Sequence, residues 1–195
     1  MGNDEPRHDP DSRDDHAGPR EACGVFGVWA PGEEVAKMAY FGLYALQHRG
    51  QEAAGIAVSD GVQVLVFKDL GLVSQVFDEQ VLSSLTGYLA VGHCRYSTTG
   101  SSTWENAQPT FRTTATGSGL ALGHNGNLVN TAELAARARD EGLMGNRGAV
   151  TATTDSDILG AKVPKDAGMP SSKWRAFVTG QHGANITYEI LAAKK

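Results

Sequence analysis

The chain has 195 residues, 41% of them hydrophobic and 20% charged, the proportions of an ordinary globular protein with one principal core. A net charge of −5 argues against a nucleic-acid partner, no apolar stretch approaches the roughly 18 residues of a membrane helix, and the acidic start is no secretory signal. Its two cysteines, Cys23 and Cys94, are too few for a disulfide scaffold, which points to a cytoplasmic, reducing compartment.

Residues 1–22 hold seven acids against three arginines, with three prolines and almost nothing apolar. Such a segment cannot bury enough surface to offset its ordering entropy, so it is expected to be a disordered acidic leader and a removable propeptide. From Cys23 to Trp29 an apolar run suits a buried strand, which Pro31-Gly32 ends. The period then changes over EEVAKMAYFGLYALQHRG: Val35, Met38, Ala39, Gly42, Leu43 and Leu46 recur on one helical face. Glu33 and Glu34 stand at the positive end of that helix, and Gly50 is placed to supply a left-handed stop. Its aromatic residues, with Trp29 and Trp104, are expected in the core.

GVQVLVFKDLGLV reads as a strand with a turn after Lys68, and GYLAVGHCRYS and SGLALGHNGNLV as two more, each ending in Gly-His and a polar tip. Asn130 with Glu133 resembles a capping box that opens a helix over TAELAARARDEG, closed by Gly142. A further helix begins after TTDSDILGA and meets Pro164. Short turns between strands predict an α+β fold, its sheet largely antiparallel with helices on the outer faces. Residues 162–195 differ in kind: they carry six bases against two acids, and AFVTGQHGANITYEILAA suits a strand or a short helix. This basic tail has no assigned role.

Three polar clusters stand at the ends of apolar runs: CRYSTTG from Cys94, HNGN from His124 and TTDSD from Thr153. Singly they are weak signals, because Asn-Gly makes turns and Ser, Thr and Asp cap helices. Cys23 adds weight. Lying where the leader meets the first apolar run, it either packs as a small hydrophobe or, once the leader is removed, becomes the first residue. A thiol that attacks an amide needs a base, oxyanion donors and charge partners for its substrate. A liberated α-amino group, with a pKa of roughly 7.7–8.0, can serve as that base. His93, His124 and Cys94 make an awkward metal set, since neighbours on a strand point to opposite faces; Cys94 is expected to pack.

CGVFGV, GLYALQHRGQEAAGIAV, GHCRYSTTG, ENAQP, LGHNGNLVN and TTDSDIL, in that order across residues 23–161, resemble the class II, N-terminal-nucleophile glutaminase domain of the amidophosphoribosyltransferase family. The LQHRGQEAAGI form separates it from sister families such as glucosamine-6-phosphate synthase, which resembles YRGYDSAGI there. The resemblance implies a four-layer αββα sandwich of mainly antiparallel sheets. It implies Cys23 as nucleophile, with Asn125 through its side chain and Gly126 through its backbone as the oxyanion hole. Arg95 would hold the α-carboxylate of glutamine and Asp155 its α-ammonium, while Thr98 and Arg49 line the pocket.

The family further implies homo-oligomers and a second domain that binds phosphoribosyl pyrophosphate and Mg²⁺, in some members with an iron–sulfur cluster. These residues include no acidic pair followed by a glycine-rich phosphate loop, and Cys94 is the one thiol left over, so no cofactor is expected in this chain. From residue 162 the sequence leaves the family pattern, as at a frameshift or fusion. The expected activity is the half-reaction of purine biosynthesis that turns glutamine into glutamate and ammonia. The alternatives are a silent glutamine-binding or interaction module and the glutaminase of a sister enzyme.

Overall fold

The computed structural model describes residues 23–96, 102–113, 119–126 and 131–140 and, as strands, 175–181 and 185–192. In chain order they form β1 (Gly24–Trp29), α1 (Val35–Ala45), a 3-10 turn (Gln47–Arg49), β2 (Ala53–Ser59), β3 (Val64–Leu70), α2 (Val73–Val76) and α3 (Glu79–Ser84). There follow β4 (Leu89–Arg95), a second 3-10 turn (Trp104–Asn106), β5 (Thr110–Thr113), β6 (Gly119–Asn125), α4 (Thr131–Asp140), β7 (Arg175–Gln181) and β8 (Asn185–Ala192). They build two sheets, ordered β1-β4-β2-β3 and β5-β6-β8-β7, in which every pairing is antiparallel.

AAGIAVS in β2 and LAVGHCR in β4 are apolar almost throughout because both are central strands covered on both faces, and every residue of each is buried. The edge strands β1 and β3 are largely half-buried. On one face lies α1, whose Val35, Ala36, Ala39 and Leu43 join Ile56, Val58, Ala90 and Cys94 in the main core. Each large aliphatic side chain there contributes about 1.5–3 kcal/mol. The other face meets the second sheet, where β6 lies over β4: a Cβ on Gly123 would stand 3.4 Å from Val91, 3.6 Å from Val25 and 3.8 Å from His93. Helix, sheet and sheet therefore stack as the αββα expectation requires, and α4, which buries Ala135, follows directly after β6. No helix among the described residues is long and apolar enough to cross a membrane.

Several local expectations are corrected. Trp29, Phe41, Tyr44 and Trp104 are 65%, 66%, 57% and 53% exposed, and Met38 is exposed with them. Phe41 and Tyr44 turn away from the stripe of Val35, Ala39 and Leu43, so helical geometry overrides their apolar character. They contact Tyr40 instead, edge to face at 5.3 Å and stacked at 6.2 Å. Trp104 lies under the Lys68 ammonium, 5.0 Å from the ring centre, and donates its indole N–H to the Lys68 carbonyl. Gly50 is extended, with φ −158°, and supplies no left-handed stop; α1 ends where the Leu46 N–H turns back to the Gly42 and Leu43 carbonyls.

The strand expected to turn after Lys68 continues to Leu70 and turns at Gly71. The tail, readable as strand or helix, supplies the hairpin β7–β8, and β8 pairs with β6 from Gly119↔Ala192 to Asn125↔Ile186. Helices α2 and α3 and strand β5 carry no clear periodic signal, although Asp78 caps α3 by accepting the Val81 N–H at 2.7 Å. Helix α4 stands where the sequence places it. The leader, the cap at Asn130, the stop at Gly142 and the helix after TTDSDILGA lie outside the described residues.

Candidate active site

Three strand ends converge on one edge of the sandwich. Because Gly24 pairs with Cys94, the chain enters β1 at Cys23 beside Arg95, the last residue of β4, and β6, packed over β4, ends at Asn125. The turn after α1 adds Arg49. Gln47 secures that turn: its side-chain oxygen accepts the Val73 N–H at 2.6 Å, and its amide nitrogen donates to the Gly50 carbonyl.

Cys23 is half-buried, and its backbone carbonyl accepts from Asn125 Nδ2 at 2.9 Å and from Arg49 Nε at 3.3 Å. Its Sγ lies 3.4 Å from both the carbonyl oxygen and the amide nitrogen of Tyr96, so one residue can accept the thiol proton contact or donate to the thiolate. Burial pushes the Cys23 thiol up from its ordinary range, opposed by the Tyr96 backbone and the Arg95 charge. The thiol of the intact chain is therefore protonated at neutral pH. Its alkylation by iodoacetamide, followed by mass spectrometry against pH, should have a midpoint above the roughly 8.5 of a free cysteine. Cys94, pushed up to about 11, should react at still higher pH. A Cys23 midpoint below 8 would contradict the burial argument.

Arg95 is buried, with Nη1 3.6 Å from Glu52 Oε2, and Ser102 Oγ donates to that same carboxylate oxygen at 2.5 Å. Gly126 forms a half-buried bend directly after β6. Among the residues singled out by sequence, Cys23, Arg49, Arg95 and Asn125 thus share one edge with Gly126 next to them, while Thr98 and Asp155 lie outside the described residues. Tyr96, Glu52 and Ser102 carried no assigned role. Tyr96 lies within the CRYSTTG cluster and Ser102 just beyond it, but only the register Ala53↔Arg95 brings Glu52 to the site.

His93 is fully buried between the sheets, with Nε2 3.1 Å from the His124 carbonyl. Desolvation drives its pKa down to about 3, so the ring is neutral and donates from Nε2, and Nδ1 has no partner among the described residues. The His124 N–H in turn donates to Gln108 Oε1 at 2.7 Å. The His93 bond ties β6 to β4 and so holds Asn125 near Arg95, while the Gln108 bond ties β6 to the segment that leads into β5. Cys94 points the other way, into the core beneath α1, with Sγ donating to the Leu46 carbonyl at 3.4 Å.

No family model matches the chain. It is 78% identical over 147 residues to the amidophosphoribosyltransferase of Mycobacterium leprae, covering 75% of this chain and 26% of that protein. To the amidophosphoribosyltransferase of Synechococcus elongatus it is 57% identical over 160 residues, 82% of this chain and 31% of the relative. A solved structure, the glutamine phosphoribosylpyrophosphate amidotransferase from B. subtilis complexed with ADP and GMP, superposes with a TM-score of 0.64 and 28% identity, covering 86% of this chain and 41% of that one. The chain spans about a quarter to a third of the length of the curated relatives it matches. At 78% identity across three quarters of its residues, it belongs, over the segment these relatives share, to the amidophosphoribosyltransferase family.

Proposed function

We propose that this domain hydrolyses glutamine to glutamate and ammonia, with Cys23 as the nucleophile of a glutamyl thioester. The observation that carries the reading is the meeting of Cys23 and Asn125, 102 positions apart, with Arg49 and Arg95 beside them. Removal of residues 1–22 converts the Cys23 amide nitrogen into an α-amine with a pKa of roughly 7.7–8.0. That amine takes the thiol proton as sulfur attacks the carboxamide carbon. The carbon–nitrogen bond then breaks, and ammonia leaves with the returned proton. Water, deprotonated by the same amine, cleaves the thioester and releases glutamate.

A side-chain amide carries two N–H donors. One from Asn125 engages the Cys23 carbonyl, and the other, with the Gly126 N–H, is assigned to the oxyanion. Arg95 receives the α-carboxylate, for which its planar fork is suited, and Asp155 the α-ammonium, with Thr98 and Arg49 lining the pocket. No step calls for a metal or cofactor. In a longer chain of this family the ammonia would pass to phosphoribosyl pyrophosphate, the compound named for the B. subtilis relative.

Before processing, the nitrogen of Cys23 is an amide and its thiol pKa is raised, which favours a silent precursor. A diazoketone analogue of glutamine tests both halves of the reading. Intact-mass spectrometry should find one adduct on a chain beginning at Cys23, mapped to that residue, and none on the chain retaining residues 1–22. Equal labelling of both forms, or an adduct elsewhere, would refute the proposal.

A further inference from the structure

We infer that Glu52 is the positioning residue that aims the Arg95 guanidinium at the α-carboxylate of the substrate. The inference rests on the glutaminase reading above and adds a residue to it. Arg95 is 3% exposed, and a guanidinium so far removed from water requires a held partner. Glu52 lies one residue before Ala53, which pairs with Arg95, and its N–H donates to the Arg95 carbonyl at 3.1 Å. Its own carbonyl accepts the Gly71 N–H at 2.9 Å, so the root of the side chain is fixed from both sides. Oε2 then stands 3.6 Å from Arg95 Nη1 while accepting from Ser102 Oγ at 2.5 Å.

One carboxylate oxygen thereby links the arginine to Ser102, on the stretch of chain that leaves β4. Tyr96, whose backbone brackets the Cys23 thiol, begins that same stretch. Glu52 is thus immobilised before substrate arrives and can restrict a long side chain that otherwise loses rotamer entropy on being held. Preorganisation of this kind raises affinity for a carboxylate by removing an ordering cost.

A purely electrostatic role predicts the opposite sign. Were Glu52 only a counter-charge, removing it would strengthen the pull of Arg95 on any carboxylate. The test compares kcat/KM for glutamine with that for 4-aminobutanamide, the same amide without the α-carboxylate, using the chain that begins at Cys23. In Glu52→Gln the preference for glutamine should fall on the order of tenfold through KM, and in an Arg95→Lys background it should show no further change. Glu52→Asp, which keeps the charge but withdraws it, should shift the preference the same way by less. A preference that is unchanged or rises overturns the inference. A parent chain that hydrolyses neither amide overturns the glutaminase reading itself, and this inference with it.

Discussion

Replacing Cys23 by alanine in the chain that begins at that residue is expected to lower glutamine hydrolysis by at least about a thousandfold, because the covalent route is lost. Folding should hardly notice. Among the described residues the side chain's hydrogen bonds are two long sulfur contacts with Tyr96, whereas the bonds that assemble the site, from Asn125 and Arg49, end on the backbone carbonyl that alanine retains. A thermal unfolding midpoint within about 3 °C of the parent is therefore expected, corresponding to roughly 1 kcal/mol. Ammonia release measured beside a melting curve separates lost chemistry from lost structure. Turnover within tenfold of the parent would sink the thioester mechanism.

Gly50→Ala carries the largest structural penalty expected near the site. A Cβ there would stand 2.6 Å from the Cys94 carbonyl oxygen and 2.7 Å from the backbone carbons of Cys94 and Arg95. All three atoms belong to the end of β4, which cannot rotate away as a flexible side chain would. With φ at −158° alanine meets no conformational obstacle, and in open space the change would stabilise by about 0.4–1 kcal/mol through the unfolded state. Overpacking reverses that sign, and a loss of about 3 kcal/mol is expected, or roughly 8 °C in the unfolding midpoint. Gly32→Ala is the comparison: φ there is +90° and nothing lies within 4 Å, so only backbone strain of about 1–2 kcal/mol applies. Equal stability in the two variants would show that close approach to β4 is not what position 50 requires. The same displacement should slow electrophile labelling of Cys23, since Arg49 and Arg95 flank the shifted backbone.

Glu52 and Gly50 mark the boundary of what pattern reading reaches. Both sit in LQHRGQEAAGI, a motif specific enough to indicate the family, and the sequence offered a local explanation for the glycine, a helix stop. Its actual constraint comes from residues 94 and 95, forty-odd positions away, on a strand that shares no local pattern with it. The aromatic residues show the same limit from the other side. Apolar character predicts burial, but Phe41, Tyr44 and Trp29 are exposed because burial depends on which face another layer covers.

By itself the sequence pointed to the candidate site residues and to the types of several main elements. Apolar runs specify the strands β1, β3, β4 and β6, the 3.6-residue stripe specifies α1, and six ordered motifs, through the family they resemble, imply roles for Cys23, Arg95 and Asn125. These are local properties, written in neighbouring residues. The tertiary structure alone decided the register that brings Gly24 opposite Cys94 and Ala53 opposite Arg95, and with it the joining of Asn125 to the Cys23 carbonyl and of Glu52 to Arg95. It also decided that the tail pairs as strands with β6, where its composition had allowed either a strand or a helix. The reason is physical: pairing partners and covered faces arise from non-local packing, which a short stretch of chain cannot encode until the rest of the sandwich closes on it.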